Sequence, residues 1–255
     1  MTDDDIRLAQ CLADAAGAAI RPFFRARFDL ERKADASPVT EADRAAESAM
    51  RAILEAERPQ DGIVGEEYGV TREGAERVWV LDPIDGTRSF VAGRAIFGTL
   101  VALVEGGVPV LGVIDQPVQR ERWIGAVGRP TTLNDAVVAT RACAALGDAI
   151  LATTGPGYFQ PDEMAAYDRC ITPARDSIWG GDCYNYSLLS LGQLDAVIEA
   201  GLKLYDFAAL VPVVEGAGGV MRDWQGRRLD AGSKGQVVAV GDARLLEPIL
   251  ELLNS

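Results

Sequence analysis

Val78-Trp79-Val80-Leu81-Asp82-Pro83-Ile84-Asp85-Gly86-Thr87 is the stretch whose reading decides the fold and most of the chemistry. The apolar run Val78-Trp79-Val80-Leu81 reads, with Arg77 before it, as a strand over 77–81. Asp82 ends it, and Asp85 follows three residues later. Pro83 fixes one backbone dihedral between them, and Gly86 permits close backbone approach. The expectation is a constrained turn that holds two carboxylates and the Ile84 carbonyl on one side.

Two further acidic clusters sit at comparable places. Gly65-Glu66-Glu67-Tyr68-Gly69 follows a predicted strand over 62–65, and Leu204-Tyr205-Asp206-Phe207 marks a loop entering a helix. Carboxylates projecting from strand ends can converge on one point without a flexible backbone, as a rigid metal site requires. Each cluster also has an ordinary reading. A Glu-Glu pair is commonly solvated surface, Asp206 is placed to cap a helix, and Asp82-Pro83 and Asp85-Gly86 are common turn dipeptides.

Around these clusters the chain has no internal repeat and no low-complexity tract. Apolar periodicity predicts a helix over 6–24 and another over about 41–57, the latter capped by Thr40 with Asp43 three residues on. Short strands follow over 98–104 and 108–114, joined through Gly106-Gly107, and over 122–127. From about residue 134 strands and helices alternate: strands over 149–153, 196–199 and 237–240, and helices over 161–170, 184–191, 207–217 and 243–253. Pro212 should kink the helix over 207–217. The first half reads as α+β with a meandering sheet and the second as α/β. One catalytic unit over 1–255 is expected, with lobes over about 1–135 and 136–255.

Composition narrows the chemistry. The chain has 255 residues, a net charge of −13 and no histidine. Histidine-based triads, histidine general bases and His-ligated zinc are excluded outright. The negative charge argues against a nucleic-acid partner, which needs a basic footprint. No apolar run reaches the roughly 18 residues of a membrane helix, and the acidic start, Met1 to Asp5, does not read as a signal peptide. Cys11, Cys143, Cys170 and Cys183 are far apart and form no CxxC pair, so reduced thiols in a cytoplasmic protein are expected. Abundant carboxylates without histidine favour Mg²⁺, a hard cation that prefers oxygen ligands.

Asp82-Pro83-Ile84-Asp85-Gly86-Thr87, preceded by Gly65-Glu66-Glu67 and followed by Tyr205-Asp206 and Gly216-Ala217-Gly218-Gly219, resembles the inositol-monophosphatase family over nearly the whole chain. Tyr205 stands where many members carry Trp. The resemblance implies a layered αβαβα sandwich, an Mg²⁺-dependent phosphomonoesterase activity and a homodimer. It implies that Glu66, Asp82 and the Ile84 carbonyl hold one Mg²⁺, and that Asp82, Asp85 and Asp206 hold a second. A third, weaker Mg²⁺ is implied at Glu66 with water. Gly86 and Thr87 would offer backbone N–H groups to the phosphate, while Thr87 and Asp43 would orient and deprotonate the attacking water. Two metals about 3.5–4 Å apart ionise such a water and stabilise the leaving alkoxide.

Fold does not decide which ester is cleaved. Asp182, in Gly180-Gly181-Asp182-Cys183-Tyr184-Asn185-Tyr186, and Glu199 fall by the resemblance beside the leaving group. Asp85 and Glu41 join them as substrate contacts. Two carboxylates there oppose a neutral polyol and favour a cationic alcohol. Lys33–Arg44 and Gly201–Leu210 also resemble the histidinol-phosphate phosphatases of the family. L-Histidinol phosphate, a cationic small phosphate ester, is therefore the expected substrate. An inositol-1-phosphate or broad sugar phosphatase is the alternative, and a non-catalytic regulatory or scaffolding member of the fold is a third. Asp182 as a helix cap and Glu199 paired with Lys203 or an arginine are the structural alternatives for these side chains, and Arg88 contacts phosphate or a second anionic group or, as the favoured reading, makes a surface ion pair. Cys183 reads as packing, and Tyr184 and Tyr186 either stack on an imidazole or pack their helix.

Overall fold

Strand β5, Arg77–Asp85, is an interior strand of an eight-stranded sheet, and its alternating side chains organise the first two layers. The computed structural model describes residues 1–26, 30–32 and 38–255, with backbone alone for 30–32 and 38–40. The Lys33–Ser37 part of the Lys33–Arg44 resemblance lies outside the described residues, as does the Thr40 side chain expected to cap the second helix.

The sheet order is β10-β9-β8-β7-β6-β5-β3-β4. Its strands are β3 (Gly62–Gly65), β4 (Gly69–Thr71), β5, β6 (Gly98–Glu105), β7 (Val108–Gln116), β8 (Glu121–Ala126), β9 (Arg129–Leu133) and β10 (Ala136–Val137). A separate antiparallel ribbon pairs β1 (Leu30–Arg32) with β2 (Pro38–Thr40). On one face of the large sheet Trp79, Leu81, Val101, Leu103, Leu111 and Val113 pack against helices α1 (Asp3–Ile20) and α2 (Glu41–Glu57). On the other, Val80, Leu100, Ala102, Val104 and Ile114 pack against α5 (Tyr184–Ser190), α6 (Leu204–Phe207) and α7 (Leu210–Gly216). This alternation is the period-2 pattern of a sheet covered on both sides.

The middle helices also cover a second sheet, ordered β12-β11-β13-β15-β14. Its strands are β11 (Ile150–Thr153), β12 (Asp176–Trp179), β13 (Ala196–Glu199), β14 (Val220–Arg222) and β15 (Val237–Val240). Val197, Val237 and Ala239 face the middle layer, whereas Ala196, Ile198, Val238 and Val240 face α4 (Pro161–Ile171) and α8 (Leu246–Leu253). The architecture is thus αβαβα. Glycine sets the spacing of the middle layer: a Cβ on Gly112 would fall 1.9 Å from the Ala209 carbonyl oxygen, and one on Gly125 2.3 Å from that of Pro212.

Several expectations are corrected in detail. The first helix begins at Asp3, not Ile6, because Thr2 and Asp5 form a capping box, and it ends at Ile20. The helix expected over 207–217 is two helices, α6 and α7, broken at 208–209. Pro212 falls in the first turn of α7, where its missing N–H disrupts no helical hydrogen bond. Short elements that carry no strong periodicity are absent from the sequence reading: β1, β2, β4, β9, β10, β12, β14 and the five-residue helix α3 (Thr87–Val91).

Candidate active site

The decisive stretch is a bulged strand rather than a turn after one. Asp82 pairs with Leu100 and Asp85 with Gly98, so three steps on β5 span two on β6. Pro83 has no N–H to give to the ladder, and one extra residue is accommodated there. Its carbonyl is not lost: it accepts the Thr99 Oγ1 hydrogen at 2.8 Å. The bulge leaves Asp82 and Asp85 both at the cleft instead of on alternate faces. Gly86, with φ at +83°, then turns the chain into α3.

Asp82, Asp85 and Asp206 each bring a carboxylate oxygen within 4.8 Å of the others. Glu66 lies against Asp82, within hydrogen-bonding reach. Burial and the neighbouring charges of Glu66, Asp85 and Asp206 push the Asp82 carboxyl well above the usual range. Burial, Asp182 and Asp206 do the same to Asp85, partly offset by the Cys183 N–H, which donates to its Oδ2 at 2.6 Å. Asp82 Oδ1 is buried with no hydrogen-bond partner. Converging carboxylates that repel one another, with a buried oxygen left unpaired, fit a hard divalent cation.

Each of these groups is held from behind. Asp206 is the third residue of α6 rather than its N-cap, and it closes the helix start as the far member of a capping box, its Oδ2 accepting the Lys203 N–H at 2.6 Å. The Ile84 side chain is fully buried beneath α1 and α2. Its carbonyl accepts the Thr87 hydroxyl at 3.1 Å, and that hydroxyl lies 3.5 Å from the buried Asp43 carboxylate.

The same cleft, about 330 Å³, is lined by Glu66, Asp82, Asp85, Asp206, Asp182 and Glu199. The alternative roles for the last two are not what the structure contains. Asp182 does not cap α5; it adopts φ +47°, and its carboxylate accepts the Ser89 hydroxyl at 2.7 Å. A Cβ at Gly86 would fall 2.8 Å from that carboxylate. Glu199 is not ion-paired with Lys203. It is buried and accepts the Thr154 N–H at 2.8 Å, the Thr154 hydroxyl at 2.9 Å and the Thr153 hydroxyl at 3.3 Å. Burial raises its carboxyl to about 7 against these hydrogen bonds.

Arg88 is exposed and lines the cleft, with its guanidinium 5.4 Å from the Tyr158 ring centroid, in place of the surface ion pair expected for it. Burial holds the Cys183 thiol well above its ordinary range, in keeping with a packing residue. Tyr184 turns away, donating to Glu121 at 2.6 Å and meeting Trp123 edge-on, whereas Tyr186 lines the cleft with a buried, unpartnered hydroxyl. Glu41 stands exposed at the start of α2, outside the residues that line the cleft.

Sequence reasoning missed Glu47, Thr153, Thr154 and Tyr158. Only Glu47 carried a legible signal, its four-residue spacing from both Asp43 and Arg51 on the helix read over 41–57.

The fold and this oxygen-rich cleft define a phosphatase class, and the inositol monophosphatase family model matches residues 2–255. The chain belongs to that family of metal-dependent phosphatases, which act on small phosphate esters. It is 49% identical to the bifunctional phosphatase IMPL2 of Arabidopsis thaliana, over 97% of this chain and 74% of that one. It is 36% identical to the histidinol-phosphatase of Mycobacterium tuberculosis over the full length of both. Among solved structures, an inositol monophosphatase from Zymomonas mobilis superposes with a TM-score of 0.93 at 59% identity, over 99% of this chain and 98% of that one.

Proposed function

We propose that this protein hydrolyses L-histidinol phosphate to L-histidinol and phosphate. The observation that carries the reading is the pair Asp182 and Glu199 in the same cleft as the acidic cluster. Glu66, Asp82 and the Ile84 carbonyl would hold one Mg²⁺, and Asp82, Asp85 and Asp206 a second. Bound there, Mg²⁺ supplies the positive charge that ionises a water and stabilises the leaving oxygen. The Thr87 hydroxyl would orient that water and take a proton from it while passing its own hydrogen from the Ile84 carbonyl to the Asp43 carboxylate, 3.5 Å away. The Gly86 and Thr87 N–H groups meet the phosphate oxygens. Asp182, kept in place by Ser89, and Glu199, kept in place by Thr153 and Thr154, face the substrate ammonium.

A cationic alcohol relieves the repulsion between these two carboxylates, whereas a neutral polyol leaves it in place. The 36% identity to a full-length histidinol-phosphatase supports the same reading. Histidine biosynthesis, a cytoplasmic location and a homodimer belong to it. The four free cysteines suit a reducing compartment. Ile178 and Trp179 are both exposed on edge strand β12, which gives that sheet edge apolar surface for a second copy. Among the described residues no helix is long and apolar enough to cross a membrane.

The test is phosphate release with Mg²⁺ from L-histidinol phosphate and myo-inositol 1-phosphate, side by side. A strong preference for histidinol phosphate is expected. Equal rates, or preference for the inositol ester, would reduce the activity to a general Mg²⁺ phosphomonoesterase.

A further inference from the structure

Helix α2 carries Asp43, Glu47 and Arg51 at four-residue intervals, so the three rise along one face. Asp43 reaches Thr87, and Arg51 donates to the Thr71 hydroxyl at 2.8 Å and to the Gly69 carbonyl. Between them Glu47 has no exposed surface. Its Oε2 accepts the Glu67 N–H at 2.7 Å, and its Oε1 accepts the Tyr68 N–H at 3.1 Å. Arg51 Nε donates to the same Oε1 at 2.7 Å. Gly65 completes the grip: a Cβ there would fall 1.9 Å from Oε1.

Strands β3 and β4 pair through Gly65 and Gly69, so residues 66–68 form the hairpin loop between them. Glu47 therefore contacts the chain on both sides of Glu66, and Glu66 is the residue that faces Asp82. A short hairpin does not need a buried ion pair for stability, since apolar replacements of such pairs are often neutral or better. What the carboxylate provides is directional: two N–H groups and one guanidinium meet a single group from a rigid helix.

We propose that Glu47 is a positioning residue that holds Glu66 at the cleft and thereby sets the affinity of the site for its divalent cation. The proposal rests on the reading of Glu66 as a metal ligand. It also makes α2 the common support for the cation, through Glu47, and for the water-orienting pair, through Asp43.

Calorimetric titration of Mg²⁺ into metal-free wild type and Glu47→Gln tests it, together with melting of both metal-free proteins. Glu47→Gln keeps size and one acceptor but turns a donor towards an N–H. The Mg²⁺ dissociation constant should rise about 10–100-fold, the usual effect of losing a group that orients a ligand. Arg51→Met, which leaves the Glu47 amide contacts in place, should shift it in the same direction by less, and it serves if Glu47→Gln does not fold. Unchanged Mg²⁺ affinity, with or without a lowered melting temperature, would overturn the proposal and leave Glu47 as a structural residue. Absence of Mg²⁺ binding by wild type would overturn the metal centre itself, and this proposal with it.

Discussion

The two halves of the cleft are built differently. The half formed by Asp82, Ile84, Asp85 and Thr87 comes from one bulged central strand and the turn that ends it, with Pro83, Thr99 and Gly86 fixing the backbone. The half formed by Asp182, Glu199, Arg88 and Tyr158 draws on four places in the chain, one of them next to Thr87, held by hydroxyls, the Thr154 N–H and a ring contact. A central strand cannot shift without breaking its ladder on both sides, so it suits chemistry that must not vary. Side chains held by local contacts of their own, one hydroxyl for Asp182 and three donors for Glu199, can be exchanged one at a time, which suits the choice of substrate. On the reading given above, the first half hydrolyses any monoester that reaches it, and the second decides which one does.

The comparison breaks most visibly at Asp82. Asp82→Asn should lower phosphate release from every monoester by about 10³-fold, because the group shared by both proposed cation positions is lost. The metal-free variant should nevertheless melt higher than metal-free wild type, since the repulsion that raises the Asp82 carboxyl is relieved. Melting curves with and without Mg²⁺ would show whether these opposite signs occur.

The second half should fail selectively. Asp182→Asn should raise KM for L-histidinol phosphate by about 10–100-fold, the loss of one charge contact in a cleft of low dielectric, with little change for p-nitrophenyl phosphate. Parallel losses on both esters would erase the division between the halves.

The pH dependence sharpens it further. Glu199 sits near 7 in the folded protein and near 4.5 when unfolded, so the folded state binds the extra proton between those values. Its contribution to stability is therefore largest below pH 4.5 and declines as pH rises towards 7. For binding the sign is reversed, because only the ionised carboxylate attracts a cation. The ratio of kcat/KM for L-histidinol phosphate between wild type and Glu199→Gln should rise as pH passes 7, with titration of the substrate cancelling in the ratio. A ratio flat from pH 6 to pH 8 would remove Glu199 from substrate binding.

The smallest effect is expected at the rim. Tyr158→Ala removes the ring beneath the Arg88 guanidinium, a contact worth about 0.5–1 kcal/mol at an exposed site. KM should change by about two- to fivefold, with kcat unaltered. Initial-rate measurements would resolve that split.

Local sequence by itself determined the first half of the cleft. The apolar run 78–81 demanded a buried strand, Asp82-Pro83-Ile84-Asp85-Gly86-Thr87 brought its carboxylates together within six residues, and the missing histidines left oxygen as the chief ligand type. Those features act over a few residues, so no folding is needed to read them. Even there the backbone form was misread, since a bulge and a turn place similar demands on Pro83 and differ only in what the neighbouring strand does. Tertiary structure alone decided the rest. Nothing in the sequence joins Ser89 to Asp182, Thr154 to Glu199, or Glu47 to the loop that carries Glu66; these partners are 93, 45 and 20 residues apart. Hydrogen-bonding groups at such separations meet only once two sheets and three helical layers have packed, because their spacing is set by the core and not by the intervening chain.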